Sequence, residues 1–270
     1  MTQTRTHGYL LDPRPTGAGS SSDAHAAASA ALYDASTFRH FERLGVGPGW
    51  RCWEVGAGGT SVLAWLAKRV GPTGRVLGTD LDTARAAAAA RPPIEVLRHD
   101  VSVQDPPGEG FDLVHARLVL ARVTDRERAL RTMVKSLRPG GRLLVEDADI
   151  ALQPLACPDE HSAAQQLANH VRGGLYSLLA ERGADPAYGR RLPRLLRETG
   201  LVQVEAEAYF PLTSPAAAAL ETVTVQQARE RLVNRGLVTD ADIDRYLAQI
   251  ASGTLDLSTP PMIAAWGRKG

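Results

Sequence analysis

The feature that most constrains the fold is the run Arg51-Cys-Trp-Glu-Val-Gly-Ala-Gly-Gly-Thr-Ser61. A short apolar strand ends on Glu54 and breaks into a glycine-rich turn ahead of a helical segment, Val62–Val70. Glycine has no Cβ, so backbone amides in such a turn can approach a ligand closely. From there the pattern alternates: strand Arg51–Val55, helix Ser61–Arg69, strand Arg75–Thr79, helix Leu81–Ala90, strands Ile94–Arg98 and Phe111–Ala116, helix Asp125–Leu137, strand Gly141–Glu146. Alternation of this kind predicts a mostly parallel sheet with helices on both faces. Pro139-Gly140-Gly141 reads as a helix stop and a turn into the fifth strand. In open sheets of this class ligands sit beyond the carboxyl ends of the strands, so Glu54, Asp80, Asp100, Ala116 and Glu146 are expected along one edge.

A lone Gly-x-Gly is a weak signal, and the second strand strengthens it. Asp80 closes that strand at about the offset where dinucleotide-binding folds place a ribose carboxylate. The third glycine of that fingerprint, however, would fall at Ser61, which weighs against a nicotinamide dehydrogenase. Instead, Glu54-Val-Gly56-Ala-Gly58-Gly59-Thr60 resembles motif I of class I S-adenosylmethionine-dependent methyltransferases, which reads acidic-x-Gly-x-Gly-x-Gly. Gly78-Thr-Asp80-Leu81-Asp82, Arg98-His99-Asp100-Val101, Phe111-Asp-Leu-Val-His-Ala-Arg117 and Leu137-Arg-Pro-Gly-Gly-Arg-Leu-Leu-Val-Glu-Asp147 come next, in that family's order. The resemblance covers residues 40 to 150 in detail and is similar in style to actinobacterial-type methyltransferases of small natural products.

The resemblance implies an α/β, Rossmann-like, seven-stranded and mostly parallel sheet with helices on both faces and an antiparallel last strand. Leu201–Tyr209 and Met262–Arg268 would be its closing strands, and Gly189–Thr199 the last crossover helix. A single domain over 24–270 is expected, carrying helical lid insertions at 151–186 and 211–261. The first contains a helix near Ser162–Arg182. The second holds two helices within Pro215–Ala251, parted at Asn234-Arg-Gly236, with Thr239 or Asp240 as a cap. Residues 1–23 read as a flexible N-terminal segment, because the Pro, Gly and Ser of 12–23 bury too little apolar surface to offset ordering. An alanine-rich helix, Ala24 to Leu44, should come after it, sided by Leu32, Phe38 and Phe41.

By the same resemblance S-adenosylmethionine is the expected cofactor. Glu54, Gly56, Ala57 and Gly58 would hold its methionine end, together with the carbonyls of Ala116 and Arg117. Asp80 would accept from the ribose hydroxyls, Leu81 would pack on the adenine, and Asp100 with Val101 would meet the adenine edge. Each has a structural alternative: Glu54 as a cap for the turn amides, Asp80 as a helix cap, with Asp82 the better cap of the two. Thr60 replaces the usual third glycine and is expected to narrow the turn.

Methyl transfer is an in-line displacement at an activated carbon, so alignment in a dry site matters more than a dedicated base. Similar O-methyltransferases use a histidine in Leu-Leu-His-x-Pro-Asp and an aspartate after strand five. The stretch here reads Leu118-Val-Leu-Ala-Arg122-Val-Thr-Asp125, and an arginine is no base at neutral pH. Asp147 remains as the catalytic candidate, with capping of the turn beyond it as its alternative. His115 reads as a satisfied core or edge histidine, His161 and His170 as residues of the inserted helix, and Tyr9, Tyr33 and Tyr176 as pocket-wall candidates. Arg117 and Arg122 would alternatively suit an anionic acceptor. No metal is expected, since strand four ends in Ala116-Arg117 rather than an acid.

A chain of 270 residues that is 44% hydrophobic suffices for one large α/β domain. Its net charge of +1 gives no reason for a nucleic-acid or membrane partner, and Arg190, Arg191, Arg194 and Arg197 read as a solvated helix face. Cys52 and Cys157 make no disulfide framework. Met1 to Ser22 lacks an apolar signal region, so a cytoplasmic protein is expected, with a homodimer as candidate assembly. The expected function is methyl transfer to O, N or C of a small-molecule acceptor in secondary metabolism. Peptide or protein carboxyl methylation, and cofactor binding without methylation, are the alternatives.

Overall fold

The structure, a computed structural model, describes residues 20–270, so Tyr9 and most of the 1–23 segment lie outside the described residues. The chain runs α1 (Ser20–Arg43), β1 (Arg51–Val55), α2 (Ser61–Val70), β2 (Arg75–Asp80), β3 (Ile94–Arg98), β4 (Phe111–Arg117), α3 (Arg126–Ser136) and β5 (Leu137–Ala148). It continues through α4 (Ala163–Glu181), α5 (Leu192–Glu198), β6 (Leu201–Tyr209), α6 (Pro215–Asn234), α7 (Asp240–Ala251) and β7 (Met262–Lys269). Two compact units result: a sheet unit of Ser29–Leu152, Pro186–Phe210 and Pro260–Gly270, and a helical unit of Gln153–Asp185 and Pro211–Thr259 with the described residues up to Ala28.

The sheet unit has seven strands in the order β3-β2-β1-β4-β5-β7-β6. Strands β1 to β5 are mutually parallel, and β7 is antiparallel to both β5 and β6, as the resemblance implied. The central strands are apolar on both faces because both are covered. Trp53, Val55, Val114, Leu143, Val145 and Ala265 face one way, toward Met133 of α3 and Leu196 of α5. Cys52, Leu113, Leu144 and Trp266 face the other, toward Leu63 and Leu66 of α2 and Phe41 of α1. Strand order reverses between β1 and β4, the switch point where sheets of this class open a crevice at their carboxyl edge.

Two expectations are corrected. The helix expected over Leu81–Ala90 is only a 3-10 turn at Ala86–Ala89. Asp80 Oδ1 accepts the Asp82 amide at 2.9 Å and Asp82 Oδ1 accepts the Ala84 amide at 3.0 Å, so two successive side-chain turns hold 80–84 out of a helix. The fifth strand begins at Leu137 rather than Gly141. Leu137 pairs with Phe111 and Arg142 with Leu113, so Pro139-Gly140-Gly141 forms a bulge inside the strand. A Cβ on Gly141 would lie 2.7 Å from the Phe111 carbonyl oxygen, which restricts that position to glycine. Other boundaries agree within a few residues.

The helical unit packs Val171, Leu175, Val225, Leu232, Ile243 and Tyr246 into its own core. Ser162 and Thr239 cap α4 and α7 through capping boxes with Gln165 and Asp242. Inside lies a buried ion pair: Arg172 donates to both carboxylate oxygens of Glu221 at 3.0 and 2.7 Å, and the Tyr246 hydroxyl donates to Glu221 at 2.8 Å. Both cysteines are buried and free.

Candidate active site

The parallel order brings Glu54, Asp80, Arg117, Glu146 and Asp147 to the ends of neighbouring strands, with Asp100 and Val101 just beyond β3. At the head of this edge the glycine turn is fastened to β2. The amides of Gly56 and Ala57 both donate to the Thr79 carbonyl, at 2.7 and 2.9 Å. Gly56 has φ +73, and a Cβ there would lie 2.4 Å from Cγ2 of Val119. Val119 reaches that position because Leu118 turns sharply out of β4 at φ 58, its amide donating to the Glu146 carbonyl at 2.7 Å.

Thr60 stands at the N-cap of α2 with φ −105, a backbone any residue adopts, and its side chain makes no cap bond. The backbone at that position therefore does not require a glycine. Gly58 is exposed and the turn stays open beside Gly59, where a Cβ would meet nothing within 4 Å.

Asp80 is buried at the end of β2, and neither it nor Asp82 caps a regular helix. Asp100 is bound into its own turn, Oδ1 accepting the Ser102 amide at 2.9 Å and the Ser102 hydroxyl at 2.6 Å. Leu81 is half-buried; Val101 and Ala116 are buried in the sheet core. Arg117 donates to Asp34 at 2.8 Å and to the Thr37 hydroxyl at 2.8 Å, with Tyr33 beneath its guanidinium. That guanidinium is already engaged by α1, which removes the support for an anion site built on it.

A continuous polar chain, buried except at its Glu207 end, crosses this end of the sheet. Glu54 and His115 are register partners on β1 and β4, and Glu54 Oε2 lies 2.5 Å from His115 Nδ1. His115 Nε2 is 3.2 Å from Glu146 on β5, which also accepts from the Thr37 hydroxyl at 2.5 Å and contacts His40 Nδ1 at 3.1 Å. His40 Nε2 lies 2.9 Å from Glu207 on β6. Between Glu146 and Glu207 stands their common register partner on β7, Ala264, whose small side chain leaves the gap that His40 of α1 fills. Burial alone would lower the pKa of His115, but attraction to Glu54 and hydrogen bonds to both glutamates outweigh it and raise it to about 9. Burial pushes Glu146 up, yet hydrogen bonds from His115 and His40 hold it well below the usual carboxylate range.

Asp147 points to the other face and is fully buried. Its Oδ2 accepts weakly from the Ala121 amide at 3.4 Å, and Oδ1 has no hydrogen-bond partner among the described residues. Burial pushes its carboxyl up to about 7, with Arg122 pulling the other way. His161 and His170 are exposed, Tyr176 lies in the helical unit beside Arg172, and Tyr33 packs edge-on to Tyr209. Arg190 is not merely solvated, since it grips buried Asp149 through two nitrogens at 2.7 and 2.6 Å. Thr37, His40 and Glu207 were not among the residues expected from the sequence. The one signal for Thr37 and His40 is their place among the apolar residues of α1 beside Phe38 and Phe41, and Glu207 on β6 has none.

A family model described as a methyltransferase domain matches residues 53–143. The ubiquinone/menaquinone biosynthesis C-methyltransferase UbiE of Bordetella parapertussis is 33% identical over 195 residues, covering 67% of this chain and 73% of that protein. An uncharacterized 37.1 kDa protein in transposon TN4556 of Streptomyces fradiae is 28% identical over 220 residues, covering 78% of this chain. Among solved structures, Haemonchus contortus phosphoethanolamine N-methyltransferase 2 in complex with S-adenosyl-L-methionine is similar in fold, with a TM-score of 0.55 at 16% identity over 96% of this chain. The chain spans 61% of the length of the Streptomyces protein and 62% of the Haemonchus one.

Proposed function

Because the chain belongs to the class I S-adenosylmethionine-dependent methyltransferases, we propose that it moves the methyl group of S-adenosylmethionine to O, N or C of a small-molecule acceptor. The observation that carries this is the glycine turn bound to the end of β2, open beside Gly59, with the Asp80 carboxylate at the same strand end. These residues fit the cofactor: the turn offers close backbone approach, and Asp80 offers an acceptor-only side chain for a vicinal diol. Likeness to UbiE, named for C-methylation in quinone biosynthesis, favours a carbon acceptor on a small molecule. A cytoplasmic location, a role in natural-product biosynthesis, one domain over 24–270 and a homodimer belong to the same proposal.

When bound, the cofactor supplies a methyl carbon activated by a sulfonium. The chain's own residues then bind and orient. Glu54, Gly56, Ala57, Gly58, Ala116 and Arg117 would hold the methionine end, Asp80 the ribose, and Leu81, Asp100 and Val101 the adenine. Asp147 is the residue proposed to take a proton where the acceptor must lose one, since burial pushes its carboxyl up to about 7.

The test is incubation with methyl-labelled S-adenosylmethionine and panels of phenols and quinols, amines, alcohols, carboxylic acids and peptides. Label in a small acceptor is the expected result. Base-labile label on peptide carboxylates would favour the carboxyl-methyltransferase alternative, and cofactor binding without transfer to any panel would favour a non-methylating role.

A further inference from the structure

The polar chain Glu54–His115–Glu146–His40–Glu207 is more elaborate than sheet packing requires. Apolar side chains would fill the same space without the cost of burying ions. His115 is fully enclosed, with Phe41 of α1 edge-on to its ring at a centroid distance of 4.9 Å. Every polar atom it offers is used on a carboxylate: Nδ1 on Glu54, Nε2 on Glu146. A neutral imidazole has a single N–H and cannot donate to both, whereas an imidazolium can. Glu54 in turn keeps only 6% of its side chain open, at the root of the glycine turn.

We propose that His115 is a positioning residue for the cofactor site: as an imidazolium held between Glu54 and Glu146, it fixes the Glu54 carboxylate at the root of the Gly56–Thr60 turn. The inference rests on the methyltransferase reading. S-adenosylmethionine carries an ammonium and a sulfonium, and a carboxylate at the turn complements both. Without the imidazolium, Glu54 and Glu146 would stand on either side of β4 with no cation between them.

The groups facing His115 act in a consistent sense. Glu54 approaches from β1 and Glu146 from β5, while α1 supplies the Thr37 hydroxyl and the His40 ring, both on Glu146. Glu207 of β6 meets His40 and is also paired with Arg39 and Arg43 of α1, and Arg117, two residues along β4, is paired with Asp34 of α1. The raised pKa of His115, about 9, agrees with a charged ring at neutrality.

The experiment uses the full chain. Nitrogen-15 NMR of labelled histidines reads the charge and tautomer of His115, and calorimetric titration with S-adenosylhomocysteine is run against pH on the wild type, His115→Gln and Glu146→Gln. The expected results are an imidazolium at neutral pH, and wild-type affinity that weakens as pH rises through about 9. His115→Gln should bind at least about tenfold more weakly and lose that pH dependence, and Glu146→Gln should move the weakening to lower pH. A purely structural histidine would lower thermal stability without moving the pH profile of binding. If His115→Gln does not fold, the wild-type spectrum and the Glu146→Gln profile decide. A neutral His115, or unchanged affinity in folded His115→Gln, overturns the proposal alone. Failure of the ligand-stripped wild type to bind overturns the methyltransferase reading and this proposal with it.

Discussion

Gly56 and Val119 meet so closely that a Cβ on residue 56 would lie 2.4 Å from Val119 Cγ2, although 63 positions of chain separate them. The contact joins the loop after β1 to the loop after β4, the two loops that flank the switch point. Gly56→Ala should destabilise the protein by about 1–3 kcal/mol through overpacking, with added strain from φ +73. Val119→Ala makes room, so the double variant should recover part of the loss. Denaturant unfolding of the double-mutant cycle checks this, and strict additivity would mean that the two loops are not in contact.

Stability should fall on the alkaline side. The folded-state pKa of His115 is raised from 6.5 to about 9, so its contribution is complete below 6.5 and disappears as pH rises through about 9. Glu146 is lowered from 4.5, so its contribution is complete above 4.5 and disappears on acidification below that value. Thermal unfolding followed by circular dichroism across this range should show both limbs, and His115→Gln should flatten the alkaline one. A melting temperature in the wild type unchanged through pH about 10 would contradict a charged His115.

Asp147 runs in the opposite sense to Glu146. Its folded pKa is raised from 3.8 to about 7, so the favourable protonated form is present below 3.8 and lost as pH climbs through 7. Asp147→Asn removes that titration and should raise stability above neutrality by about 1–3 kcal/mol, the usual cost of an unsatisfied buried group. The same variant separates structure from chemistry. If Asp147 takes a proton from the acceptor, methyl transfer falls while S-adenosylhomocysteine affinity holds; undiminished transfer would remove it from the chemistry.

Within the helical unit, Arg172 and Glu221 should behave as a pair. Arg172→Leu leaves Glu221 buried with only Tyr246 as partner and should cost about 3–5 kcal/mol, whereas Arg172→Leu with Glu221→Leu should cost far less. Chemical denaturation of both variants reads the difference, and equal losses would mean that the ion pair is not what the single change breaks.

Local and repetitive features are legible in the sequence. β1 and β3 begin and end where the strand pattern and turn residues put them, β6 where the family resemblance puts it, and of the two caps expected for α7 it is Thr239 that forms. The helix expected over 81–90 does not form because alanine propensity yields to Asp80 and Asp82, whose side chains compete with the backbone for its amides. The polar chain is illegible for a different reason. Glu54 and His115 are 61 residues apart and His40 and Glu146 are 106 apart, and only strand register brings them together. Asp147 is legible as a position but not as a fully buried one, since its face depends on the Gly141 bulge that sets the pleat of β5.

The most direct measurement is calorimetric titration of the ligand-stripped full chain with S-adenosylhomocysteine, with NADH as control and Asp80→Asn alongside. The asparagine keeps an oxygen for the Asp82 amide but replaces the second acceptor with a donor. Micromolar binding by the wild type, about −8 kcal/mol, with at least about tenfold weaker binding by Asp80→Asn and no heat with NADH, is the predicted result. No binding of S-adenosylhomocysteine by the wild type, or binding of NADH in its place, would contradict the assignment of the glycine turn and Asp80 as a methyl-donor site.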